Sequence, residues 1–303
     1  MCHSLVIFGC GYVGKALARM ALENGLRVTA LTRNAEAADD LRTLGVGQVI
    51  EAELDSSDWH REIDPNQHWV INTVSSAGGG MAGYQKSYLE GQRSIVQWAS
   101  QGSVDVFMYT SSSSVYPQSD GAWVDESSST VGGSDCGNIL LAAEQAVQEC
   151  QAFKKAYILR LSGIYGPERH HFLSQLSAGE RVFSGMGNQY LNMIHLDDIC
   201  AAIWFLYHHR TLSESGIYNV TDDSKATKEM VVNWLAKRLE FEQMPIFDAR
   251  IPGRRAGSQA KPVSGRTANR RIANTKLKAL GWSLRYPTFR EGYEAILNAL
   301  SQP

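Results

Sequence analysis

Near the start of the 303-residue chain, Gly9, Gly11 and Gly14 fall in the pattern G-x-G-x-x-G, with Cys10, Tyr12 and Val13 between them. That spacing suits a dinucleotide. The first glycine permits a tight turn, the second lets backbone approach a pyrophosphate, and the third lets a helix pack close to a strand. The backbone N–H groups of Tyr12 and Val13 then stand at a helix N-terminus, where the dipole favours anions. Glycine is common here, at 27 residues, so the motif needs its context. An apolar run at 5–9 precedes it and a helical pattern follows, which is the strand–turn–helix setting the motif requires.

Roughly twenty residues past the third glycine, an acid would bond the ribose 2′-OH of NAD, and an arginine would accommodate the 2′-phosphate of NADP. The chain has Arg33 there and no acid until Glu36, which favours NADP(H) over NAD(H). Asp55, past the third apolar run, fits an adenine-side contact or a turn acid. Thr73, Val74 and Ser75 close the fourth run, and three glycines at 78–80 follow. Such small residues suit backbone lying against phosphate or ribose, or a plain flexible loop. The stretch 250–271 has seven basic residues and no acidic one. Arginine forks there suit a diphosphate, and a solvated loop is the alternative. It has no aromatic residue, so the stacking platform of a nucleic-acid site is missing. The five cysteines form no C-x-x-C pair and no H-E-x-x-H occurs, so neither a metal nor a disulfide framework is expected.

These groups need a scaffold. Apolar, β-branched runs at 5–9, 27–32, 48–50, 69–73, 104–110 and 156–161 predict strands, and 12–24, 35–44, 84–101 and 138–152 predict helices. The strands are continuous rather than alternating, as expected when helices cover both faces of a sheet. The economical fold is α/β, a doubly wound parallel sheet. Past residue 166 the alternation decays into a helix at 198–209, a strand at 217–220 and a helix at 226–240. The expected organisation is a dinucleotide-binding domain over 1–165 and a smaller lobe mainly over 166–303, with some segments returning to the first. With 44% hydrophobic and 20% charged residues and a net charge of -2, the chain can bury a core and carries no global basic field. The start lacks a basic segment and a long apolar centre, and the apolar stretch at 201–207 is too short for a bilayer. A cytoplasmic protein with no membrane or nucleic-acid partner is the expectation.

In chain order, GCGYVGKALA at 9–18, YTSSSSVYP at 109–117, WVDESS at 123–128, LRLSGIYGPER at 160–169, NMIHLDDICAAI at 192–203, YNVTDD at 218–223 and LGWSLRYPTFREGY at 280–293 cover nearly the whole chain. Together they resemble the extended short-chain dehydrogenase/reductases, the NAD-dependent epimerase/dehydratase family. The resemblance implies an NAD(P)-binding Rossmann domain, a small C-terminal substrate lobe and, often, a homodimer formed through a helix pair. It implies an oxidoreductase, epimerase or dehydratase acting on a sugar nucleotide or a similar carbonyl or hydroxyl compound. It also implies a catalytic hydroxyl at the end of strand five, where Ser112 is the best match and Ser111 or Ser113 would serve if the register slips by one.

The family's acid–base pair is Tyr-x-x-x-Lys on the next helix. Gly137, Leu141 and Glu144 fit that helix, which puts Cys136 in the tyrosine place and Leu140 in the lysine place. The chain thus resembles atypical members that lack the pair. A thiol titrates near 8.5 rather than 10 and has no lysine here to tune it, so Cys136 does not simply substitute. Tyr116 and Tyr165 lie in motifs flanking the family's cleft and are candidate replacement acids, or structural residues. His195 and its neighbouring aspartates match a segment that braces the lobe. Two functions follow: an enzyme with an atypical site, or a catalytically silent NADP(H) sensor or regulatory subunit. The missing pair favours the second and the retained lobe favours the first.

Overall fold

The computed structural model describes residues 4–76, 78, 80–251 and 268–301. Seven strands form one sheet: β1 (Ser4–Phe8), β2 (Arg27–Thr32), β3 (Gln48–Glu51), β4 (Gln67–Asn72), β5 (Val104–Ser112), β6 (Phe153–Leu161) and β7 (Gly216–Val220). Their spatial order is β3-β2-β1-β4-β5-β6-β7, and every neighbouring pair is parallel. Strand order reverses beside β1, so the crevice at the C-terminal ends of β1 and β4 is the topological switch point where such sheets bind ligands.

Alternation of side chains explains the continuous apolar runs. Leu5 and Ile7 enter one core cluster, while Val6 and Phe8 enter the cluster on the other face. Helices α1 (Tyr12–Glu23) and α5 (Leu196–His208) cover the first face with Leu17, Ala21, Ile199 and Ile203. Helices α3 (80–99) and α4 (Asp135–Glu149) cover the second with Ile95, Trp98, Ala143 and Val147. α2 (Ala35–Thr43) connects β2 to β3. α1 stops where Gly25 takes φ +75, a left-handed conformation that glycine adopts without a Cβ clash. α3 starts four residues earlier than its periodicity indicates, and it changes pitch: Gly80–Tyr84 is α, Gln85–Glu90 is a π turn, and Gly91–Ala99 is α again.

A third cluster lies beyond β6. It joins Leu173, Phe183, Val232 and Leu235 to Phe289, Tyr293 and Ile296, and includes α6 (Lys228–Arg238) and α7 (Phe289–Leu300). α7 was not anticipated, although Thr288 and Glu291 close a capping box at its start. Three two-stranded pairings, such as Val182–Ser184 with Ile246–Asp248, are too short to show a period. Between β6 and β7 the chain enters this third cluster, then returns to the sheet and leaves again. Most of the basic stretch, 252–267, lies outside the described residues. Of its flanks, Arg250 pairs with Asp248 at 2.7 Å, and Arg270 Nη2 donates to the Ser113 carbonyl at 2.8 Å. Among the described residues no helix is long and apolar enough to cross a membrane.

Candidate cofactor and active site

The turn from β1 to α1 is tied to the end of β4. Gly9 holds φ +84 and its N–H donates to the Leu31 carbonyl at 2.9 Å. A Cβ on Gly9 would press on the Val74 backbone at 2.7 Å. A Cβ on Gly14 would collide with the Gly9 carbonyl and stand 2.7 Å from Thr73 Oγ1. Thr73 Oγ1 donates to that same carbonyl, and the Thr73 N–H donates to the Phe8 carbonyl at 2.8 Å. The Val74 N–H is held by Asn72 Oδ1 at 3.0 Å, and Ser75 follows directly in the chain. Gly11 differs, since its Cβ direction meets nothing within 4 Å. α1 begins there with no side-chain cap and no acid in its first turn. Its first N–H groups therefore have no side-chain acceptor and no acid of their own turn beside them, an arrangement that fits a diphosphate.

Tyr12, the first residue of α1, spans the mouth of this corner. Its hydroxyl donates to the Pro167 carbonyl at 2.7 Å, and the Arg169 guanidinium lies 5.5 Å from its ring centroid. Burial pushes the Tyr12 phenol up to about 12, with Arg169 opposing. At the far end, Arg33 stands 3.7 Å from Glu53, and Lys86 stands 3.6 Å from Glu53 and 3.8 Å from Asp55. Arg33 and Asp55 thus share a charged corner with Glu53 and Lys86, which sequence reasoning missed. The four come from the ends of β2 and β3 and the start of α3, and no linear motif joins them.

The serines after β5 have different environments. Ser111 is buried and donates to Glu144 at 2.6 Å; Glu144 also holds Arg160 through contacts of 3.0 and 2.7 Å. Ser113 is buried, and its carbonyl is the acceptor for Arg270. Ser112 is half-buried and its Oγ accepts from the Ser114 N–H at 3.1 Å. That bond uses a lone pair and leaves the hydroxyl hydrogen for another acceptor. Of the three register choices, Ser111 has its hydroxyl committed to Glu144, whereas Ser112 keeps a hydroxyl hydrogen to offer.

The two candidate replacement acids, Tyr116 and Tyr165, are buried. Tyr116 is 1% exposed and its hydroxyl is committed to Asn219 Oδ1 at 2.8 Å, with Arg160 over the ring at 4.9 Å. Burial holds its phenol above the usual range. Tyr165 is 2% exposed and stacks on Tyr293 with centroids 5.1 Å apart. A Cβ on Gly292 would strike its ring at 2.7 Å. Both rings are packed in the interior; the Tyr116 hydroxyl is bonded, and the Tyr165 hydroxyl has no hydrogen-bond partner among the described residues. His195 is buried as well, and its Nδ1 accepts from the Asp197 N–H at 3.2 Å as the cap of α5.

The start of α4 is capped by Ser134, which accepts from the Gly137 N–H at 3.1 Å. Cys136 is half-buried in the first turn. Leu140, one turn on, is fully buried in a cluster with Val115, Tyr116, Val124 and Ile272, and Tyr84 and Tyr88 pack against that cluster. The side of α4 that carries Leu140 is therefore apolar. Among the described residues, no three His, Cys, Asp or Glu side chains gather as metal ligands would.

Residues 5–221 match the family described as the NAD dependent epimerase/dehydratase family. The chain belongs to that family. Its sequence is 23% identical over 312 residues to a rice (Oryza sativa subsp. japonica) protein named Probable GDP-L-fucose synthase 1, covering 93% of this chain and 87% of that one. Among solved structures it resembles a conserved protein of unknown function from Silicibacter pomeroyi, with TM-score 0.74 and 25% identity over 98% of this chain and 99% of that one. It also shares its fold with the UDP-glucuronic acid 4-epimerase of Bacillus cereus bound to NAD, with TM-score 0.79 and 17% identity over 99% and 97% of the two chains. Membership of the epimerase/dehydratase family carries pyridine-nucleotide binding.

Proposed function

We propose that this protein is an NADP(H)-preferring oxidoreductase or epimerase/dehydratase of a nucleotide-linked sugar or similar carbonyl compound, working with an atypical acid–base site. The observation that supports it is the joined corner of Gly9, Gly14, Thr73 and Val74, with Arg33 and Lys86 gathered at its far end. Gly9, Gly11, Tyr12, Val13, Gly14, Thr73, Val74 and Ser75 would hold the nucleotide, whose nicotinamide supplies hydride exchange when bound. Arg33 would take the 2′-phosphate, moving from Glu53, while Asp55 stays on the adenine side. Ser112 would donate to the substrate oxygen as charge develops on it. Cys136 and Leu140 would occupy the family's tyrosine and lysine places.

Calorimetric titration with NADP+ and NAD+ tests the cofactor choice. A charge-assisted bond to phosphate is worth about 1.5–3 kcal/mol, roughly ten- to a hundredfold. NADP+ should bind tighter by that factor, and Arg33→Ala should erase the difference. Loss of reduced-nicotinamide absorbance over a panel of keto sugars linked to UDP or GDP tests the chemistry. Tight NADP(H) binding without turnover of any substrate would instead make the protein a silent sensor. A homodimer belongs to the same reading. The groove of about 610 Å³ lined by Arg93, Val96, Ala146 and Cys150, between α3 and α4, is the face that would carry it, and sedimentation velocity tests it.

A further inference from the structure

The chain leaves β6 at Leu161 and comes to rest against the start of α1. In the sheet, β5 and β4 lie between β6 and β1, so at about 4.8 Å per strand the crossing is roughly 14 Å. Residues 162–167 make it, along the edge where the parallel strands have their C-terminal ends. Gly163–Tyr165 pairs with Met193–His195, which fixes the root of this strap beside the start of α5. Its tip is a tight turn: the Gly166 N–H donates to the Arg169 carbonyl at 3.2 Å, and the Arg169 N–H donates to the Gly166 carbonyl at 3.1 Å. Glu168 inside the turn takes φ 62, a left-handed conformation that side chains disfavour. Gly166 is buried, and a Cβ there would stand 2.7 Å from Tyr12 Oη, 3.1 Å from Leu196 Cβ and 3.5 Å from His195 Nε2. Residues 167–169 are exposed. Tyr12 ties them to α1, through the bond from its hydroxyl to the Pro167 carbonyl and through the Arg169 guanidinium over its ring. The glycine turn ends β1 and Ser112 ends β5. A dinucleotide laid from Gly11 toward Ser112 therefore runs along the same edge as the strap.

We propose that Tyr12 and Pro167 form a clasp across the cofactor cleft, which parts each time a dinucleotide enters or leaves and then closes again. Tyr12 is thus a positioning residue that acts through the strap. The proposal rests on the reading that the glycine turn holds the nucleotide. A bond that is made both before and after binding, and broken only during passage, leaves affinity as it is. It slows exchange in both directions, as a lid does. The contact at Gly166 gives a second way to open the clasp. The Tyr12 hydroxyl and a Cβ at position 166 cannot both keep their places at 2.7 Å. Gly166→Ala therefore pushes the hydroxyl off the strap while Tyr12 itself is unchanged.

Stopped-flow fluorescence with NADPH and NADH gives the association and dissociation rates, and calorimetry gives the affinity. Tyr12→Phe removes the hydroxyl and keeps the ring. It should raise both rates together by about two- to tenfold, the worth of one neutral hydrogen bond, with Kd unchanged. Gly166→Ala should do the same. The double variant should match either single one, because both open the same bond. A residue that only supports the fold would not move the two rates in step. Dissociation that quickens alone, with weaker binding, overturns the clasp, since Tyr12 would then grip the nucleotide itself. Rates that stay at the wild-type values in both variants overturn it too, and so do effects that add in the double variant. A wild-type protein that binds neither nucleotide overturns the nucleotide reading and the clasp together. A wild-type protein that binds one of them, with variants whose rates do not rise in step, overturns the clasp alone.

Discussion

The two ends of the cleft are built under opposite constraints. At the β1–α1 turn, Gly9 and Gly14 have no room for a Cβ because backbone and Thr73 already occupy it, while Gly11 beside them faces open space. At the start of α4, by contrast, the space is filled: Leu140 is fully buried in an apolar cluster against which Tyr84 and Tyr88 pack. One end is kept empty by tight packing around it, and the other is filled. The tight corner belongs to β1, α1 and β4, and the apolar cluster to the end of β5, α3 and α4, so the two are built from different elements of one fold.

The sharpest way to break that contrast is Leu140→Lys. An unpaired buried charge typically costs about 3–5 kcal/mol. Denaturant unfolding at neutral pH should show a loss of that size, and the loss should shrink toward pH 10. The folded-state lysine would titrate low, so the unfolded chain binds more protons and stability rises with pH. A tolerated lysine would mean that the old pocket persists. Next is Gly14→Val. Overpacking against the Gly9 carbonyl should cost about 3 kcal/mol of NADP+ affinity, roughly a hundredfold by calorimetry. Unchanged affinity would show that the tight corner is not the nucleotide site.

A smaller effect separates the cleft from the junction behind it. Burial, with Asp223, Asp198 and Glu291 nearby, holds the Asp222 carboxyl well above the usual range. The folded state keeps that proton more tightly, so its stabilisation is full below about pH 4 and is lost as pH rises through the folded value. Asp222→Asn should flatten the pH dependence of stability above pH 4 by up to about 1.4 kcal/mol per pH unit, read from unfolding midpoints. The smallest effect concerns the thiol. Cys136→Ser should leave hydride transfer within about tenfold, because losing a working acid usually costs 10²-fold or more. A larger loss would make Cys136 the acid and remove the contrast between the two ends.

The glycine fingerprint was legible because its spacing encodes backbone sterics, which act locally and need no partner to be recognised. The strands of the sheet were legible for a similar reason, since burial on both faces leaves an unbroken apolar run. Arg33 could be read from its distance along the chain. Glu53 and Lys86 could not, because their meeting depends on where β3 ends and α3 begins. Tyr116 and Tyr165 were drawn toward the cleft by the motifs that contain them, yet a motif does not say which way a side chain points. The π turn at Gln85–Glu90 was not legible, because it breaks the 3.6-residue period by which helix faces are read. The capping box that opens α7 stood in the sequence as Thr288 and Glu291, with Phe289, Gly292, Tyr293 and Ile296 at helical spacing behind it, and the final helix was legible but passed over.

The return of the chain at β7 has a consequence for how this molecule could be divided. β7 pairs with β6 from Gly216 and Tyr157 through Val220 and Leu161, although 54 residues come between the two strands, passing first through the third cluster and then through α5 on the sheet. A chain cut after residue 165 would leave β6 without its outer neighbour, presenting unpaired N–H and C=O groups that invite association with another chain. It would also remove Asn219, the partner of the Tyr116 hydroxyl. The two regions are sewn together rather than strung in series. Grafting a different lobe onto this sheet would require splicing at two seams at least, one on each side of β7.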